Sequence, residues 1–377
     1  MIRYLEKDEL GECRSLWQEA FPEDSREFAD YYFNKKLLQS RVLVKEDESG
    51  RIVTMAHLNP YQVKAGAKTW NLDYIVGVAT AANSRHQGHM RDVLERMLLD
   101  MHDGRKPFCY LMPASPDIYR PFGFRYIFNQ PQWHMRRDAE DGLRREEIRL
   151  DGTRRDGMQP EQLAAWMNHW LASRYEVYAL RNRSYMELLQ AELDSEKGRV
   201  YGWYGPDGSL EALQAFWGMG KQEQRFLYCA GDEWLAPPEV SKPDRPAIMA
   251  RITNVAAFAE VVRLNEECPC SAMEVRVCIH DSLIPGNSGL WIWKLDREGS
   301  ALKRETVPGL MPGDTGKRER RETLVSTEVL ELTIEQLAGW LFGYCALREA
   351  LEAEAEELPF WCRYVEPLRG VFLDEVV

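Results

Sequence analysis

The sequence lacks any uninterrupted run of about 18 apolar residues, the length that a membrane-spanning helix requires. Its first residues, MIRYLEKDEL, carry charges where a secretory leader has an apolar core. We therefore predict a cytoplasmic protein without a membrane partner.

Basic residues are also fewer than acidic residues. Lysine and arginine total 48 against 60 aspartate and glutamate residues, which gives a formal net charge of -12 at pH 7. The basic residues are scattered or interleaved with acids, so no positive stripe matches a phosphate backbone, and nucleic acid is not an expected partner. An acidic surface raises the local concentration of cations, which leaves a polycationic substrate as an open alternative.

CxxC motifs are missing as well. The eight cysteines stand at positions 13, 109, 229, 268, 270, 278, 345 and 362, a spacing typical of neither a disulfide framework nor paired zinc-binding CxxC motifs. Cys268 and Cys270 form a close pair, but no second pair or histidine lies at ligand spacing from them. We predict buried free thiols and no bound metal.

Apolar and aromatic residues, in contrast, are abundant. Hydrophobic residues make up 45% of the 377-residue chain, with 12 Trp and 16 Tyr, which indicates packed globular cores. This length predicts two or three domains. A charged stretch from about Arg136 and a proline-rich segment near position 240 favour boundaries, and we predict domains at residues 1–135, 136–248 and 249–377.

The first domain alternates helical and strand patterns, which predicts an α/β fold. Apolar residues with helical spacing near the start are Leu10, Cys13, Leu16 and Trp17. RVLVKE and RIVTMAHL are predicted strands joined by the turn DESG. Residues 72–80, LDYIVGVAT, are nearly all apolar, as expected of a strand in the middle of a sheet.

An amphipathic helix is predicted next, because apolar residues recur every three or four positions and Gly104 supplies a stop. Those apolar residues are Met90, Val93, Leu94, Met97, Leu98 and Met101. A short strand, PFCYLMP, follows. Ser115 and Pro116 are then typical of the N-cap and first residue of a short helix.

The rest of the chain mixes both element types. A helix centred on Leu163, Trp166 and Trp170 precedes a predicted hairpin, GRVYGWYGPDGSLEALQAFWGM, with its turn at PDG. Strands are predicted at MEVRVCIHD, GLWIWKLD and LVSTEVLELT, a helix at IEQLAGWLFGYCALREALEAEAEEL, and a solvated turn at GDTGKRERRE. The last part is therefore expected to be an α+β unit.

The segment VATAANSRHQGHMRDVL joins the predicted central strand to the amphipathic helix with the spacing R-x-x-G-x-M from Arg85 to Met90. Such a loop turns successive backbone N–H groups inward at the positive end of a helix dipole, which favours an anion such as a pyrophosphate. Gly88 permits close approach of a ligand, and Arg85 or His86 adds charge. From these residues alone, a polar loop without a ligand stays an alternative.

These residues resemble motif A of the Gcn5-related N-acetyltransferase (GNAT) superfamily, and LMPASPDIYRPFGF resembles the block that follows it. The resemblance implies that acetyl-CoA is the acetyl donor. The cofactor-binding residues that it implies are Val78, Ala79, Thr80, Arg85, His86, Gln87, Gly88, His89, Met90, Arg91, Ala114 and Ser115. Met90 departs from the superfamily, which usually has Gly or Ala there.

The layout in three parts and the IYRPFGF turn resemble the enhanced intracellular survival (Eis) family of acetyltransferases. That resemblance implies two tandem GNAT-like mixed α/β domains followed by an α+β domain similar to sterol carrier protein 2 (SCP2), which RVCIHDSLIPGNSGLWIWKL suits. It also implies a homo-oligomer.

The same resemblance implies two catalytic groups. Tyr119 matches the family's proton donor to the leaving sulfur, although a tyrosine here can also serve only to pack beside Pro121 and Phe122. The terminal carboxylate of Val377 matches the family's base, and the apolar end of the chain favours a docked terminus. Asp374 or Glu375 is then expected near a cationic acceptor.

We therefore predict an acetyl-CoA-dependent N-acetyltransferase whose acceptor is a primary amine, either an aminoglycoside-like polyamine or a lysine-type side chain, as the resemblance implies. Backbone N–H groups near residues 78–80 are expected to stabilise the oxyanion. Asp24 is a second candidate contact for the acceptor, but a place beside a helix N-terminus explains an acid equally well. The alternative function is a non-catalytic carrier of acyl-CoA or an apolar ligand, which the departure at Met90 motivates.

Overall fold

The structure is a computed structural model that describes residues 1–154, 157–237, 243–305, 323–351 and 358–376. The strands are β1 (Ile2–Tyr4), β2 (Arg41–Glu46), β3 (Ile52–Ala65), β4 (Lys68–Thr80), β5 (Phe108–Leu111), β6 (Arg125–Gln130), β7 (Arg144–Ile148), β8 (Val177–Ala179), β9 (Arg199–Tyr204), β10 (Leu210–Trp217), β11 (Glu223–Cys229), β12 (Arg245–Ile252), β13 (Arg263–Leu264), β14 (Ala272–His280), β15 (Gly289–Asp296), β16 (Ser300–Arg304), β17 (Thr323–Thr333), β18 (Val365–Glu366) and β19 (Val371–Phe372). The α-helices are α1 (Arg14–Ala20), α2 (Arg26–Tyr31), α3 (His89–Asp103), α4 (Pro116–Tyr119), α5 (Pro160–Ala172), α6 (Arg183–Ser195), α7 (Val255–Ala259), α8 (Ile334–Leu341) and α9 (Leu347–Leu351).

The first sheet is built around β4. Its strands follow the order β1, β2, β3, β4, β5, β12, β6, so the predicted central position of residues 72–80 is confirmed. β3 runs on past the predicted RIVTMAHL to Ala65, and Gly66 turns the chain into β4 with a φ of 51°. β3 and β4 therefore form a long antiparallel hairpin, and β4 leads into the predicted anion-binding loop.

A strand from much later in the chain completes this sheet. β12 lies between β5 and β6 and is antiparallel to both. The predicted boundary between residues 248 and 249 therefore falls inside a strand, because turn and charge signals carry no information about distant pairing. The division into three domains stays a prediction.

Helix α3 packs its apolar stripe onto the first sheet. Val93, Leu94, Met97, Leu98 and Met101 are buried, which confirms the predicted amphipathic face. The helix ends at Gly104, as predicted, and begins after Gly88. The N-terminus of α3 lies close to the end of β4, since residues of both line one cavity.

The second sheet has the order β11, β10, β9, β7 and is antiparallel throughout. The predicted PDG hairpin is confirmed, with Gly208 at a φ of 84° between β9 and β10. Helix α5 begins at Pro160 with a capping box between Gln159 and Gln162. β8 leaves this region to pair with β3, and β19 pairs with β8, so the end of the chain extends the first sheet.

The C-terminal part contains the predicted strands β14, β15 and β17 in a sheet of order β16, β15, β14, β17. The single helix predicted over residues 334–358 is wrong, because α8 ends at Leu341 and α9 begins at Leu347. Gly343 has a φ of 70° between them, and a Cβ there would lie 2.5 Å from the carbonyl oxygen of Leu368. The turn predicted at residues 313–322 lies outside the described residues.

One hydrophobic core connects all three parts of the chain, since a continuous cluster contains Phe108, Trp170, Trp293 and Phe372. All eight cysteines are free thiols; five are buried, whereas Cys270, Cys278 and Cys345 are only partly buried. Within the described ranges, no three His, Cys, Asp or Glu side chains are grouped to hold a metal ion. No helix of that part of the chain is long and apolar enough to cross a membrane.

Candidate active site

Strands β4 and β5 separate next to the predicted anion-binding loop. They run parallel and are paired at Tyr74 and Tyr110, beyond which β4 continues towards Thr80 with no register partner on β5 among the described residues. The register between β3 and β4 also shifts between Met55 and His57, where β4 has an extra residue. The backbone of β4 is therefore available on one side, next to an open groove.

Gly77 makes this bulge possible. Its φ is 60°, and a Cβ at this position would lie 2.7 Å from the indole of Trp17 and 3.3 Å from the ring of His57. His57 is fully buried, and burial lowers its pKa to about 3, so the ring is neutral at physiological pH. Its Nδ1 lies 3.0 Å from the Tyr32 hydroxyl. These packed rings hold the bulge in one shape.

A groove of ≈ 640 Å³ opens where the two strands part. It extends from the end of β4 past the N-terminus of α3 to the segment that follows α4. The lining residues are Ala20, Phe21, Val78, Ala79, Thr80, Ser84, Arg85, His86, Gly88, His89, Met90, Arg91, Ile118, Pro121 and Phe122.

One end of the groove is suited to an anion. His86 and Gly88 have φ values of 62° and 81°, in the left-handed region that is typical of anion-binding backbone turns. Gly88 is the N-cap of α3 and no side chain caps this terminus, so the first N–H groups of the helix are open to a ligand. The Nδ1 atom of His89, which lines the groove, is buried without a hydrogen-bond partner among the described residues.

Most of the predicted cofactor-binding residues line this groove. The exceptions are Gln87, Ala114 and Ser115, which are not part of its wall. Gln87 donates a hydrogen bond to the carbonyl of Asn83 instead, and Ser115 is the N-cap residue of α4, as predicted, without a side-chain capping bond. Arg91 contacts the ring of Phe122 from the groove side.

Tyr119 ends α4 and lies next to the groove. The side chain is largely buried, and its ring packs edge-on against Phe124 at 5.9 Å. Burial raises its pKa to about 12, so the hydroxyl keeps its proton throughout the physiological range. Its neighbours Ile118 and Pro121 line the groove, but Tyr119 itself is not among the lining residues.

A second cavity, the aromatic pocket, has a volume of ≈ 280 Å³. Its lining residues are Trp17, Phe21, Glu23, Asp24, Phe28, Val76, Gly77, Glu196, Trp217, Gly218 and Val376. Phe21 belongs to both cavities. Val76 and Gly77 of β4 line the pocket, and residues 78–80, which follow them in the same strand, line the groove. The two cavities therefore meet at the bulge.

The aromatic pocket is acidic. Glu23, Asp24 and Glu196 line it, and its described lining residues include no lysine or arginine. The Asp24 carboxylate accepts a hydrogen bond of 2.8 Å from the indole N–H of Trp17, and burial raises its pKa above the ordinary value. The N-cap of α2 is Ser25, whose hydroxyl accepts from Phe28, so Asp24 precedes the cap and its carboxylate is aimed at the pocket instead.

Residues 373–376, the tail, are inserted between the first sheet and the second part of the chain. Arg181 is wholly buried and donates hydrogen bonds to Asp374 over 2.5 Å and to Glu375 over 2.8 Å. Tyr74 donates to the backbone carbonyl of Val376 over 3.1 Å. Residues 373–376 are therefore held against the rest of the chain, whereas Val377, whose carboxylate is predicted to dock, lies outside the described residues, so that docking stays a prediction.

Asp374 and Glu375 were expected near a cationic acceptor, but the structure pairs both with Arg181. Neither residue lines the aromatic pocket, in which Val376 is the tail's contribution. The sequence analysis did not find Glu196, Trp217 or Val376 as pocket residues, because only the tertiary fold brings α6, β10 and the tail to α1.

Comparisons with known proteins agree with this architecture. Residues 1–127 match the family model of the acetyltransferase (GNAT) domain. No curated protein sequence matches the chain. Solved structures match almost its whole length, at sequence identities low enough that they show the fold alone.

Three of these structures illustrate the likeness. A probable N-acyltransferase from Enterococcus faecalis V583 has a TM-score of 0.71 and 15% identity, covering 99% of each chain. A GCN5-related N-acetyltransferase from Anabaena variabilis has a TM-score of 0.68 and 16% identity, covering 93% of this chain and 92% of that one. Eis1 from Mycobacterium abscessus has a TM-score of 0.67 and 14% identity, covering 100% of this chain and 99% of its own.

The match of residues 1–127 to the GNAT acetyltransferase domain supports an acyltransferase, and the solved structures show that the fold is shared over the whole chain. The predicted mixed α/β fold is confirmed, and the whole-chain likeness is consistent with tandem GNAT-like domains. The SCP2-like character of residues 249–377 stays a prediction.

Proposed function

We infer that the protein transfers an acetyl group from acetyl-CoA to a primary amine. The observation that carries this proposal is the meeting of the groove and the aromatic pocket at the bulge of β4, where the wall passes from Gly77 to Val78. One cavity is suited to an anionic donor and the other to a cationic acceptor. A thioester and an amine bound on the two sides would face each other across this one stretch of backbone.

The groove has features that fit a nucleotide thioester. The uncapped N-terminus of α3 and the loop from Arg85 to Gly88 supply N–H groups and positive charge for a diphosphate. The unpaired Nδ1 of His89 adds a polar atom to the same wall. Residues 78–80 supply backbone groups for the amide-bearing arm, because beyond Tyr74 β4 has no register partner on β5 in the part of the chain that the structure describes.

The chemistry is a direct transfer, without an enzyme-bound acyl group. The acceptor nitrogen bonds to the acetyl carbonyl carbon as the carbon–sulfur bond breaks, and the products are an acetamide, a free thiol and one proton. A backbone N–H at the bulge stabilises the oxyanion, and the Tyr119 hydroxyl protonates the departing thiolate. We assign the general base to the terminal carboxylate of Val377, which the docking of Val376 in the aromatic pocket supports.

The acceptor must be a neutral amine when it reacts, although it arrives as an ammonium ion. The acidic side chains of the aromatic pocket favour the ammonium form on binding, and a base then removes one proton. An aminoglycoside-like polyamine and a lysine-type side chain both have the required group. A homo-oligomer, which the resemblance to Eis proteins implies, and a cytoplasmic location remain part of the proposal.

The alternative of a carrier for apolar ligands has less support. The apolar space lined by Phe258, Trp293, Leu337 and neighbouring described residues of the C-terminal part measures ≈ 10 Å³. Such a space accommodates about one water molecule, far less than a lipid chain. Trp293 and Trp340 pack against each other at 6.1 Å within this part, so large side chains occupy the interior.

Calorimetric titration with acetyl-CoA, followed by thiol release over a panel of amines, tests the proposal. We expect binding in the range of about 1 μM to 1 mM that is usual for enzyme substrates, and amine-dependent release. Tyr119→Phe should lower kcat with little change in acetyl-CoA affinity, whereas Tyr126→Phe, in the same apolar cluster, is the control. Absence of acetyl-CoA binding would end the proposal.

A further inference from the structure

We propose that the aromatic pocket selects a primary amine with a single ammonium group and an apolar body, such as an arylalkylamine, over a polyhydroxylated polycation. This inference rests on the proposed function, since it concerns the acceptor side of the same site. It goes beyond that function by naming the chemistry of the part of the acceptor that does not react.

The walls of the pocket are aromatic. Trp17 and Phe28 are buried in the core, with 2% and 7% of their surface exposed, and form the base. Phe21 and Trp217 are only half-buried, and their exposed ring surface faces solvent until a ligand covers it. Covering aromatic surface is favourable, because apolar area leaves water and a flat ring packs well against other rings.

Trp217 is held in place from behind. The buried guanidinium of Arg225 lies 5.2 Å from the centre of its ring, and Arg225 is itself paired with Glu192 over 3.1 Å. Gly218 follows with a φ of 113° and lines the pocket too. The indole is therefore a rigid wall that meets a ligand with little loss of conformational freedom.

The acidic side chains of the pocket provide a place for an ammonium group beside Asp24. Asp24 is fixed by Trp17 at the inner side, where burial and the charges of Glu23 and Glu196 raise its pKa. Glu196 is fixed separately, by the Ser25 hydroxyl over 2.7 Å. A cation beside Asp24 relieves the repulsion among these carboxylates, so charge complementarity favours an ammonium end next to the bulge.

Apart from its three carboxylates, the described wall of the pocket offers few partners to hydroxyl groups. Its polar side chains are carboxylates and two indoles, and the Trp17 N–H already donates to Asp24. The rest of the wall is apolar, including Val76 and Val376. A sugar-like body would leave several hydroxyl groups without partners when it is buried, which weakens its binding.

The experiment compares three amines: 2-phenylethylamine, glucosamine and spermidine. Each is titrated calorimetrically into the full-length protein in the presence of saturating CoA, which prevents turnover. We expect 2-phenylethylamine to bind at least about tenfold tighter than the other two, because its aromatic ring leaves water when it packs against the aromatic walls. Trp217→Ala should remove most of this preference, while Trp234→Ala, a half-buried tryptophan that does not line the pocket, should keep it.

The outcomes separate the two proposals. Equal or tighter binding of glucosamine or spermidine overturns the inference, and so does a lack of binding by all three amines. A retained preference in Trp217→Ala also overturns it. If the preference is found but acetyl-CoA yields no thiol with any amine, the pocket is as described and the proposed acetyl transfer fails.

Discussion

The hydroxyl of Tyr74 donates a hydrogen bond of 3.1 Å to the carbonyl oxygen of Val376, near the other end of the chain. Tyr74 is also the residue of β4 that pairs with Tyr110 of β5, and the backbone of Met112 is hydrogen-bonded to the same hydroxyl. The place where the two strands part is thus tied to the tail that lines the aromatic pocket. Docking of the tail in the aromatic pocket is therefore coupled to the separation of β4 and β5 next to the groove.

Tyr74→Phe tests this coupling. The hydroxyl is buried, and its loss leaves the carbonyl of Val376 and the backbone of Met112 without a partner, which should lower the free energy of unfolding by about 1 to 3 kcal/mol. The tail loses a point of attachment, so KM for the amine should rise more than the Kd for acetyl-CoA. Urea unfolding and steady-state kinetics measure the two effects.

Tyr110 supplies the matched control. It is buried beside Tyr74, with ring centres 5.2 Å apart, but its hydroxyl has no hydrogen-bond partner among the described residues. Tyr110→Phe should therefore be neutral or stabilising, because it removes an unsatisfied polar atom. If both variants lose stability equally, the hydrogen bond to the tail is not the cause.

Gly88→Ala tests the anion end of the groove. Its φ of 81° lies in the left-handed region, which costs an alanine about 1 to 2 kcal/mol, although an added Cβ would meet no atom within 4 Å. Relief of that strain shifts the loop and the first N–H groups of α3, so acetyl-CoA affinity should fall by about tenfold or more. Calorimetry with acetyl-CoA measures the change.

Gly208→Ala is the control for backbone strain alone. Gly208 has a φ of 84° in the β9–β10 hairpin, and a Cβ there also meets no atom within 4 Å. Both variants should lose similar stability in thermal unfolding, but only Gly88→Ala should lose acetyl-CoA affinity. A similar loss of affinity in both would mean that strain, rather than the loop, controls binding.

The sequence was most informative where local pattern decides structure. The periodicity of α3, the apolar run of β4 and the loop between them require no distant partner, and the structure has all three where they are predicted. The resemblance of this segment to motif A implied the predicted groove residues. Helix α3 and residues 78–80 therefore account for most of the predicted site that lines the groove.

The acceptor side depends on contacts that no local pattern encodes. Trp217 is an ordinary strand residue and Glu196 an ordinary residue after a helix, until the fold brings them to α1 and the tail. Arg181 likewise shows no signal in sequence, although it pairs with both acids of the tail. Pairing of β12 between β5 and β6 was missed for the same reason, since distant strand pairing leaves no local trace.

Asp24→Asn tests the electrostatics of the aromatic pocket. The amide can still accept the Trp17 N–H but has no charge, so amine affinity should fall about tenfold while acetyl-CoA binding stays unchanged. In the unaltered protein, burial raises the pKa of Asp24. As the pH is lowered, amine affinity should therefore begin to fall at a higher pH than it would with an aspartate of ordinary pKa. Asp24→Asn should lose this pH dependence.

Glu27→Gln is the matched control for that change. Glu27 is exposed on the first turn of α2 and does not line the pocket, although it carries the same charge close by. It should retain both the amine affinity and its dependence on pH. An equal loss in Glu27→Gln would attribute the effect to the general acidic field rather than to Asp24.

Arg181→Met tests how the tail is held. Arg181 is buried with Asp374 and Glu375, so its removal leaves two buried carboxylates unpaired and should cost about 3 to 5 kcal/mol of stability. Burial already raises the pKa of Glu375, and without the guanidinium of Arg181 this folded-state pKa should rise further. The loss of stability in Arg181→Met is therefore largest above the ordinary carboxyl pKa. It should become smaller as the pH falls and the buried carboxylates are protonated.

Arg183→Met provides the comparison, because Arg183 lies two positions away and pairs with Glu161 and Glu187 on the surface. Exposed pairs of this kind contribute about 0 to 1 kcal/mol, so this variant should unfold almost like the unaltered protein at every pH. Urea unfolding at mildly acidic and mildly alkaline pH distinguishes the two. A pH-independent loss in Arg181→Met would mean that lost packing, rather than the charge of the tail, determines the stability of this region.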